Sequence, residues 1–150
     1  MPTKVALIQA KDKGSVKENL SYTIEQIENA SLNGANIACT QELFLSNYFC
    51  RKQSDEAFSL AEKIPGRTTE RLQTVAKENN IVIIASLFEE AIKGLYYNTT
   101  VIIDADGSYL GKYRKNHTPQ DPYFEEKFYF APGDSGYPVW ETKFGNIGVL

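Results

Sequence analysis

The sequence predicts an α/β fold in which strands and helices alternate along the chain. Short runs of β-branched and apolar residues, such as 81–85, are typical of strands. The segments between these runs space their apolar residues so that they share one helical face. With 150 residues, 42% of them hydrophobic, the chain is long enough for one domain with a core of its own.

The first half of the chain contains two predicted strand–helix units. Ser15 and Glu18 have the capping-box spacing that begins a helix, and Asn33-Gly34 supplies its left-handed end. We expect an irregular aromatic loop over 43–63, because no periodicity holds there and Pro65-Gly66 marks a turn just after it. The predicted elements are strands at 5–8 and 37–39, a helix between 15 and 33, and a helix at 68–78.

The second half is predicted to add further strands. The continuous β-branched run at 81–85 indicates a strand covered on both faces. Segments 100–103 and 109–113 flank Asp104-Ala105-Asp106-Gly107, a good hairpin turn. Pro119 and Pro122 favour a loop between Lys115 and Glu126. Strands are expected at 139–142 and 147–150, the last as a buried central strand, so we expect either a fragment or a partner that covers it.

Composition excludes several classes of function. The net charge of −3 and a pI near 5.2 give no electrostatic basis for binding nucleic acid. No apolar run is long enough to span a bilayer, and the N-terminus lacks the pattern of a signal peptide, so we expect no membrane partner and a cytoplasmic location. Two cysteines and one histidine without ligand spacing predict no disulfide framework and no metal, and we expect no cofactor.

Three charged residues are candidates for chemistry. Glu42 follows the second strand, at the end where open α/β sheets bind ligands. Lys115 ends the basic run Lys112-Tyr113-Arg114-Lys115, and Glu126 stands beside Glu125 and Lys127. Taken singly, each is more often an ordinary solvated or ion-paired charge than a catalyst.

Other residues suggest nucleophilic chemistry but have simpler interpretations. His117 in a proline-flanked loop is typical of a structural histidine. Gly133-Asp134-Ser135-Gly136 is similar to the nucleophile segment of chymotrypsin-like proteases, yet that fold is all-β, so we interpret the segment as a turn. Cys39 is predicted to point into the core and Cys50 to be partly exposed, and no neighbour in sequence lowers the pKa of either thiol.

Three segments in this order resemble the nitrilase, or carbon–nitrogen hydrolase, superfamily. They are Thr40-Gln41-Glu42-Leu43-Phe44, Gly111-Lys112-Tyr113-Arg114-Lys115-Asn116-His117 and the stretch 126–134. The resemblance runs from Val5 to Leu150. Tyr48-Phe49-Cys50, the segment 85–89 and Asp121-Pro122 most resemble the N-carbamoylputrescine amidase branch.

The resemblance implies a four-layer α-β-β-α sandwich of which the chain supplies about the first half. It implies Glu42 as general base, Lys115 as the cation that stabilises the oxyanion, and Glu126 as a second glutamate that positions the lysine. The family's nucleophilic cysteine lies in a Cys-Trp-Asp-like segment just after the strand that matches 147–150. We therefore expect 1–150 to be the N-terminal part of a single hydrolase domain, inactive without that cysteine.

The implied reaction converts N-carbamoylputrescine to putrescine, carbon dioxide and ammonia, so the expected partner is a small amide or carbamoyl substrate. Family members are usually homo-oligomers, and we expect the same of the complete protein. Two alternatives stay open. One is an ω-amidase or other amidase of the superfamily. The other is a non-catalytic binding or assembly form that associates through an unpaired strand.

Overall fold

A computed structural model describes residues 2–150 and contains a five-stranded mixed sheet with two helices on one face. The strands lie in chain order across the sheet, and the first three are parallel while the last two are antiparallel to their neighbours. The α/β prediction is therefore confirmed. The strands are β1 (Val5–Ile8), β2 (Ile37–Thr40), β3 (Val82–Ile92), β4 (Leu95–Ile103) and β5 (Tyr109–Arg114).

Two helices, α1 (Val16–Leu32) and α2 (Arg67–Asn79), form the crossovers between the parallel strands. Ser15 accepts a hydrogen bond from the Glu18 backbone N–H, and Gly34 follows the helix with a φ of +81°, as the capping signals predict. The inner faces of both helices and of the sheet form one core, which includes Ile24, Ile27, Leu72, Val75, Ile83, Ala85, Val101 and Ile103.

The hairpin of β3 and β4 is longer than the sequence predicts. β3 continues past residue 85 to Ile92, and β4 begins at Leu95 rather than at residue 100. This part of the strand was not predicted, because two acidic residues, Glu89 and Glu90, interrupt the apolar pattern of the sequence. The extension matters for the site, since it places residues 86–89 and 96–99 beside β5 and the segments that follow it.

The predicted loop after β2 contains two 3₁₀ segments, Phe49–Arg51 and Asp55–Leu60. Its aromatic side chains pack on the β3–β4 hairpin and on residues 129–130. The cluster consists of Phe49, Phe58, Phe88, Tyr96, Tyr129 and Phe130. The second predicted loop contains a small two-stranded ladder, β6 (Gln120–Asp121) with β7 (Phe124–Glu125), and one helical turn, α3 (Glu126–Tyr129).

The prediction of a buried central strand at 147–150 is wrong. The last two strands, β8 (Val139–Thr142) and β9 (Gly145–Gly148), form a separate antiparallel hairpin, and Leu150 is 90% exposed. Within residues 2–150, β9 has no second neighbouring strand that could bury it. Phe144 and Ile147 cover part of the sheet face opposite the helices, while Leu7 on that face is 80% exposed.

Candidate active site

The alternation of side chains along β5 sorts its basic residues onto two faces. Lys112 and Arg114 both reach the buried carboxylate of Glu89, each with a nitrogen 2.6 Å from Oε1. Tyr113 and Lys115 line a cavity instead. Successive side chains of a strand point to opposite faces, so the ion pairs of Lys112 and Arg114 direct Lys115 into the cavity. The basic run is thus not a solvated strand edge.

Glu42 reaches the same cavity through an unusual backbone conformation. The next residue, Leu43, has a φ of +50°, in the left-handed region that branched side chains rarely adopt. Its N–H donates to Ser86 Oγ at 3.0 Å, and its side chain is 2% exposed. Strain of this kind costs about 1–3 kcal/mol and persists only where the surroundings enforce it. Burial of Leu43 therefore fixes the turn that follows Glu42.

The three charged residues singled out in the sequence meet at one point. Lys115 Nζ lies 2.9 Å from Glu42 Oε1 and donates to Glu126 Oε1 at 3.0 Å. It also lies 2.9 Å from Glu126 Oε2 as an ion pair, although no well-aligned hydrogen bond reaches that oxygen. Glu126 is 1% exposed, whereas the side chain of Glu42 is 44% exposed. One ammonium thus bridges a buried carboxylate and an accessible one.

Electrostatics keep this lysine charged. Burial alone would lower the pKa of Lys115, but hydrogen bonds and charge interactions with Glu42 and Glu126 together raise it. Tyr48 donates to Glu126 Oε1 at 2.7 Å. Burial is the main cause that raises the pKa of this phenol, and the adjacent carboxylate of Glu126 raises it further. At neutral pH the site therefore holds a full ammonium and a neutral phenol as donors.

The accessible side of the cluster opens into a cavity of about 300 Å³. Its wall includes Glu42, Asn98, Lys115, Cys39 and Ser86. This volume suits a small molecule. A carbonyl oxygen in the cavity could approach the ammonium, while the adjacent carboxylate could accept a proton.

Neither cysteine has the properties of a nucleophile. Cys50 is fully buried, so the prediction that it is partly exposed is wrong, and burial raises the pKa of its thiol. Cys39 is half-buried in the cavity wall rather than in the core, and burial raises the pKa of its thiol also. A high thiol pKa disfavours the thiolate that attacks a carbonyl.

The other candidate segments do not line this cavity. His117 is exposed, and among the described residues its side chain makes no hydrogen bond, so its structural role stays a prediction. In the Gly-Asp-Ser-Gly segment, Asp134 binds the Arg114 guanidinium at 2.9 Å, and Ser135 Oγ accepts the Arg114 N–H at 2.9 Å. This irregular segment bends at Ser135 and braces β5 one residue before Lys115.

Several residues of the site were not identified from the sequence. Asn98 Nδ2 donates to Glu42 Oε1 at 2.7 Å, and Tyr48 holds Glu126. Glu89 anchors β5 from the opposite face; burial would raise its pKa, but hydrogen bonds from Arg114, Lys112 and Thr99 lower it overall. An asparagine and a glutamate within an otherwise apolar stretch were the available signals.

The part of the chain from residue 2 onward contains no group of three or more side chains arranged to hold a metal ion. In that same part, no helix combines the length and the apolar character needed to cross a membrane.

Comparison with known proteins places these observations in context. Residues 4–150 match the family described as carbon-nitrogen hydrolase. The chain is 45% identical to an N-carbamoylputrescine amidase from Solanum lycopersicum and 42% identical to a citrullinase from Francisella tularensis, with 97% of the chain aligned in each case. It spans 48% and 51% of those relatives, about half their length. A crystal structure of a carbon-nitrogen hydrolase from Helicobacter pylori G27 superposes with a TM-score of 0.92 at 37% identity, over 97% of this chain and 50% of that one.

Proposed function

The chain belongs to the carbon–nitrogen hydrolase family, and from that premise we propose that it is the N-terminal part of a hydrolase that cleaves the C–N bond of a linear carbamoyl amine. The proposed substrate is N-carbamoylputrescine. One observation carries the proposal: the contact of Glu42, Lys115 and Glu126 within 3.0 Å at the edge of an open cavity.

Each of the three residues has a role that follows from its position. Glu42, the accessible carboxylate, takes a proton from the attacking thiol and passes it to the leaving nitrogen. Lys115 directs its ammonium at the oxyanion that forms on the carbamoyl oxygen, which is worth several kcal/mol in a site that excludes water. Glu126, buried and held by Tyr48, fixes the lysine in place.

The nucleophile in this proposal is a cysteine from chain that continues beyond Leu150. Its sulfur would attack the carbamoyl carbon, and ammonia would leave with the proton that Glu42 delivers. Water would then attack the resulting thiocarbamate, again with Glu42 as base, which regenerates the thiol and releases a carbamic acid that breaks down to carbon dioxide and putrescine. Cys39 and Cys50 do not replace this cysteine, because burial raises the pKa of both thiols.

We extend the proposal to the architecture of the complete protein. The sheet face opposite the helices is only partly covered, and Val5 and Leu7 on β1 are 52% and 80% exposed. An apolar sheet face of this kind is normally packed against another layer. We propose that the continuing chain supplies a second sheet here, which gives the four-layer α-β-β-α sandwich, and that the complete protein forms a homo-oligomer.

The test uses the complete protein and measures ammonia release from N-carbamoylputrescine, from citrulline and from an ω-amide of a dicarboxylic acid. We expect N-carbamoylputrescine to have the highest kcat/KM, and Glu42→Gln and Lys115→Met each to lower kcat by at least about 10²-fold. An exposed lysine on α2 provides the matched control, Lys77→Met, with wild-type turnover expected. Preference for the ω-amide would favour the amidase alternative.

The 150-residue chain by itself is expected to show no turnover. If it hydrolyses these substrates in a thiol-dependent way, the proposed position of the nucleophile is wrong. If the complete protein binds the substrates but hydrolyses none of them, the non-catalytic binding form is the better description.

A further inference from the structure

Asn98 on β4 connects the two charged residues that border the cavity. Its backbone carbonyl accepts the Lys115 N–H at 2.9 Å, and its side-chain Nδ2 donates to Glu42 Oε1 at 2.7 Å. Asn98 is 4% exposed, so the donor and acceptor atoms that it contributes are shielded from bulk water. A single residue thus sets the backbone position of the lysine and the side-chain position of the carboxylate.

The orientation of the Asn98 amide follows from its neighbour on β3. Ser86 Oγ accepts the Leu43 N–H at 3.0 Å, which directs the hydroxyl proton elsewhere, and Asn98 Oδ1 lies 3.5 Å from Oγ. With Oδ1 on the serine side, the amide presents its donor group to Glu42. The same serine therefore holds both the turn after Glu42 and the amide that binds its carboxylate.

The two oxygens of Glu42 are consequently not equivalent. Oε1 accepts from Asn98 Nδ2 and from Lys115 Nζ, at 2.7 Å and 2.9 Å. Within residues 2–150, Oε2 has no hydrogen-bond partner. A carboxylate oxygen that already accepts two strong donors is a poor site for a further proton.

We propose that Asn98 is a positioning residue that holds Glu42 against Lys115 through Oε1 and reserves Oε2 as the atom that takes the proton in the reaction. The proposal rests on the function proposed above, because it specifies which oxygen of the general base Glu42 takes the proton. It concerns a residue of the cavity wall that acts through its hydrogen bond to Glu42.

A purely structural asparagine provides the comparison. Asn19 on α1 is 5% exposed, and its Nδ2 donates to a carboxylate, that of Asp12, at 2.7 Å. It also donates to the carbonyl of Leu45 at 2.9 Å. Asn19 matches Asn98 in burial and in its bond to an acid, but its acid is not part of the charged cluster. Asn19→Leu is therefore the matched control for Asn98→Leu.

The first measurement follows the pKa of Lys115 by carbon NMR of the lysine side chain in the 150-residue chain, and needs no activity. If Asn98 holds Glu42 in place, Asn98→Leu lets the carboxylate turn into solvent, so the pKa of Lys115 falls toward its ordinary value of 10.5. Asn98→Ala removes the same donor without adding a charge and provides a second variant if the leucine variant does not fold. The control Asn19→Leu leaves the pKa of Lys115 unchanged.

The second measurement is the steady-state kinetics of the complete protein. Loss of a hydrogen bond to a charged group predicts a decrease in kcat/KM of about 10- to 100-fold in the Asn98 variants. Most of this decrease should appear in kcat rather than in KM, because Asn98 orients the general base. Asn19→Leu should lower the unfolding temperature without changing kcat.

The outcomes separate the two proposals. Wild-type protein without hydrolase activity contradicts the proposed function, and the pKa of Lys115 then decides the positioning role by itself. An unchanged or higher Lys115 pKa in both Asn98 variants overturns that role. So does a kcat in the Asn98 variants that matches the wild type.

Discussion

Within residues 2–150, Lys115 is the one cation that the buried Glu126 contacts. The loss of stability caused by Lys115→Met can be worked out from the exposure of Lys115, Glu126 and Glu42. The side chain of Glu126 is 2% exposed, that of Lys115 29% and that of Glu42 44%. The accessible pair with Glu42 contributes about 0–1 kcal/mol. Removing one partner of a buried pair costs about 3–5 kcal/mol, and the partial exposure of Lys115 places this case near 3 kcal/mol.

Urea unfolding of the chain at pH 7 measures this loss. With a slope of about 2 kcal/mol per molar urea, a loss of about 3 kcal/mol lowers the midpoint by about 1.5 M. The double variant Lys115→Met/Glu126→Gln should recover most of the loss. The exposed Lys77→Met should change the free energy of unfolding by less than about 0.5 kcal/mol.

Two results would refute this reasoning. A loss in the free energy of unfolding below about 1 kcal/mol for Lys115→Met would mean that water already stabilises the negative charge of Glu126. A double variant as unstable as the single one would mean that the methionine side chain, and not the uncompensated charge, causes the loss.

Three further predictions concern groups other than Glu42, Lys115 and Glu126. Glu89→Gln should lower the free energy of unfolding by about 3 kcal/mol at pH 7. Because the pKa of Glu89 is lowered in the folded chain, this loss of stability is complete above pH 4.5 and disappears as the pH falls through the folded pKa. Equal losses of stability at pH 7 and pH 3 would contradict this prediction. Burial raises the pKa of Tyr109 to about 12. Wild-type stability, followed by circular dichroism, should therefore fall between pH 10 and 12 more steeply than that of Tyr109→Phe. Parallel stability curves for the two proteins would show that Tyr109 does not cause the loss. A disulfide reagent at pH 8 should label Cys39 at a measurable rate and Cys50 only on unfolding, whereas equal labelling of both in the native chain would show that the Cys50 region opens.

The sequence was informative about the site because its three charged residues occur in segments that resemble one family. The position of Glu42 after β2 followed from local apolar patterning, and the position of Lys115 followed from the hairpin of 100–103 and 109–113. Chain order and strand ends can be derived from one sequence, because periodicity and turn residues are local signals.

The partners of those charges could not be predicted in the same way. Asn98 reaches Glu42 only through the register of β3, β4 and β5, which depends on a hairpin longer than the apolar pattern indicated. Glu89 is an acid at a buried position, and the guanidinium and ammonium on β5, together with the Thr99 hydroxyl, compensate its charge there. Tertiary pairing of this kind leaves no periodic signal in the sequence.

The alternation along β5 also makes the site sensitive to changes in chain length. Deletion of one residue between the turn at Gly107 and Lys115 would exchange the two faces of the strand. Arg114 would then point toward the cavity, while Tyr113 and Lys115 would face Glu89 in place of Lys112 and Arg114. An insertion of one residue has the same effect, whereas a change of two keeps the faces. Along this strand, insertions or deletions of two residues should therefore be tolerated, whereas those of one residue should be selected against.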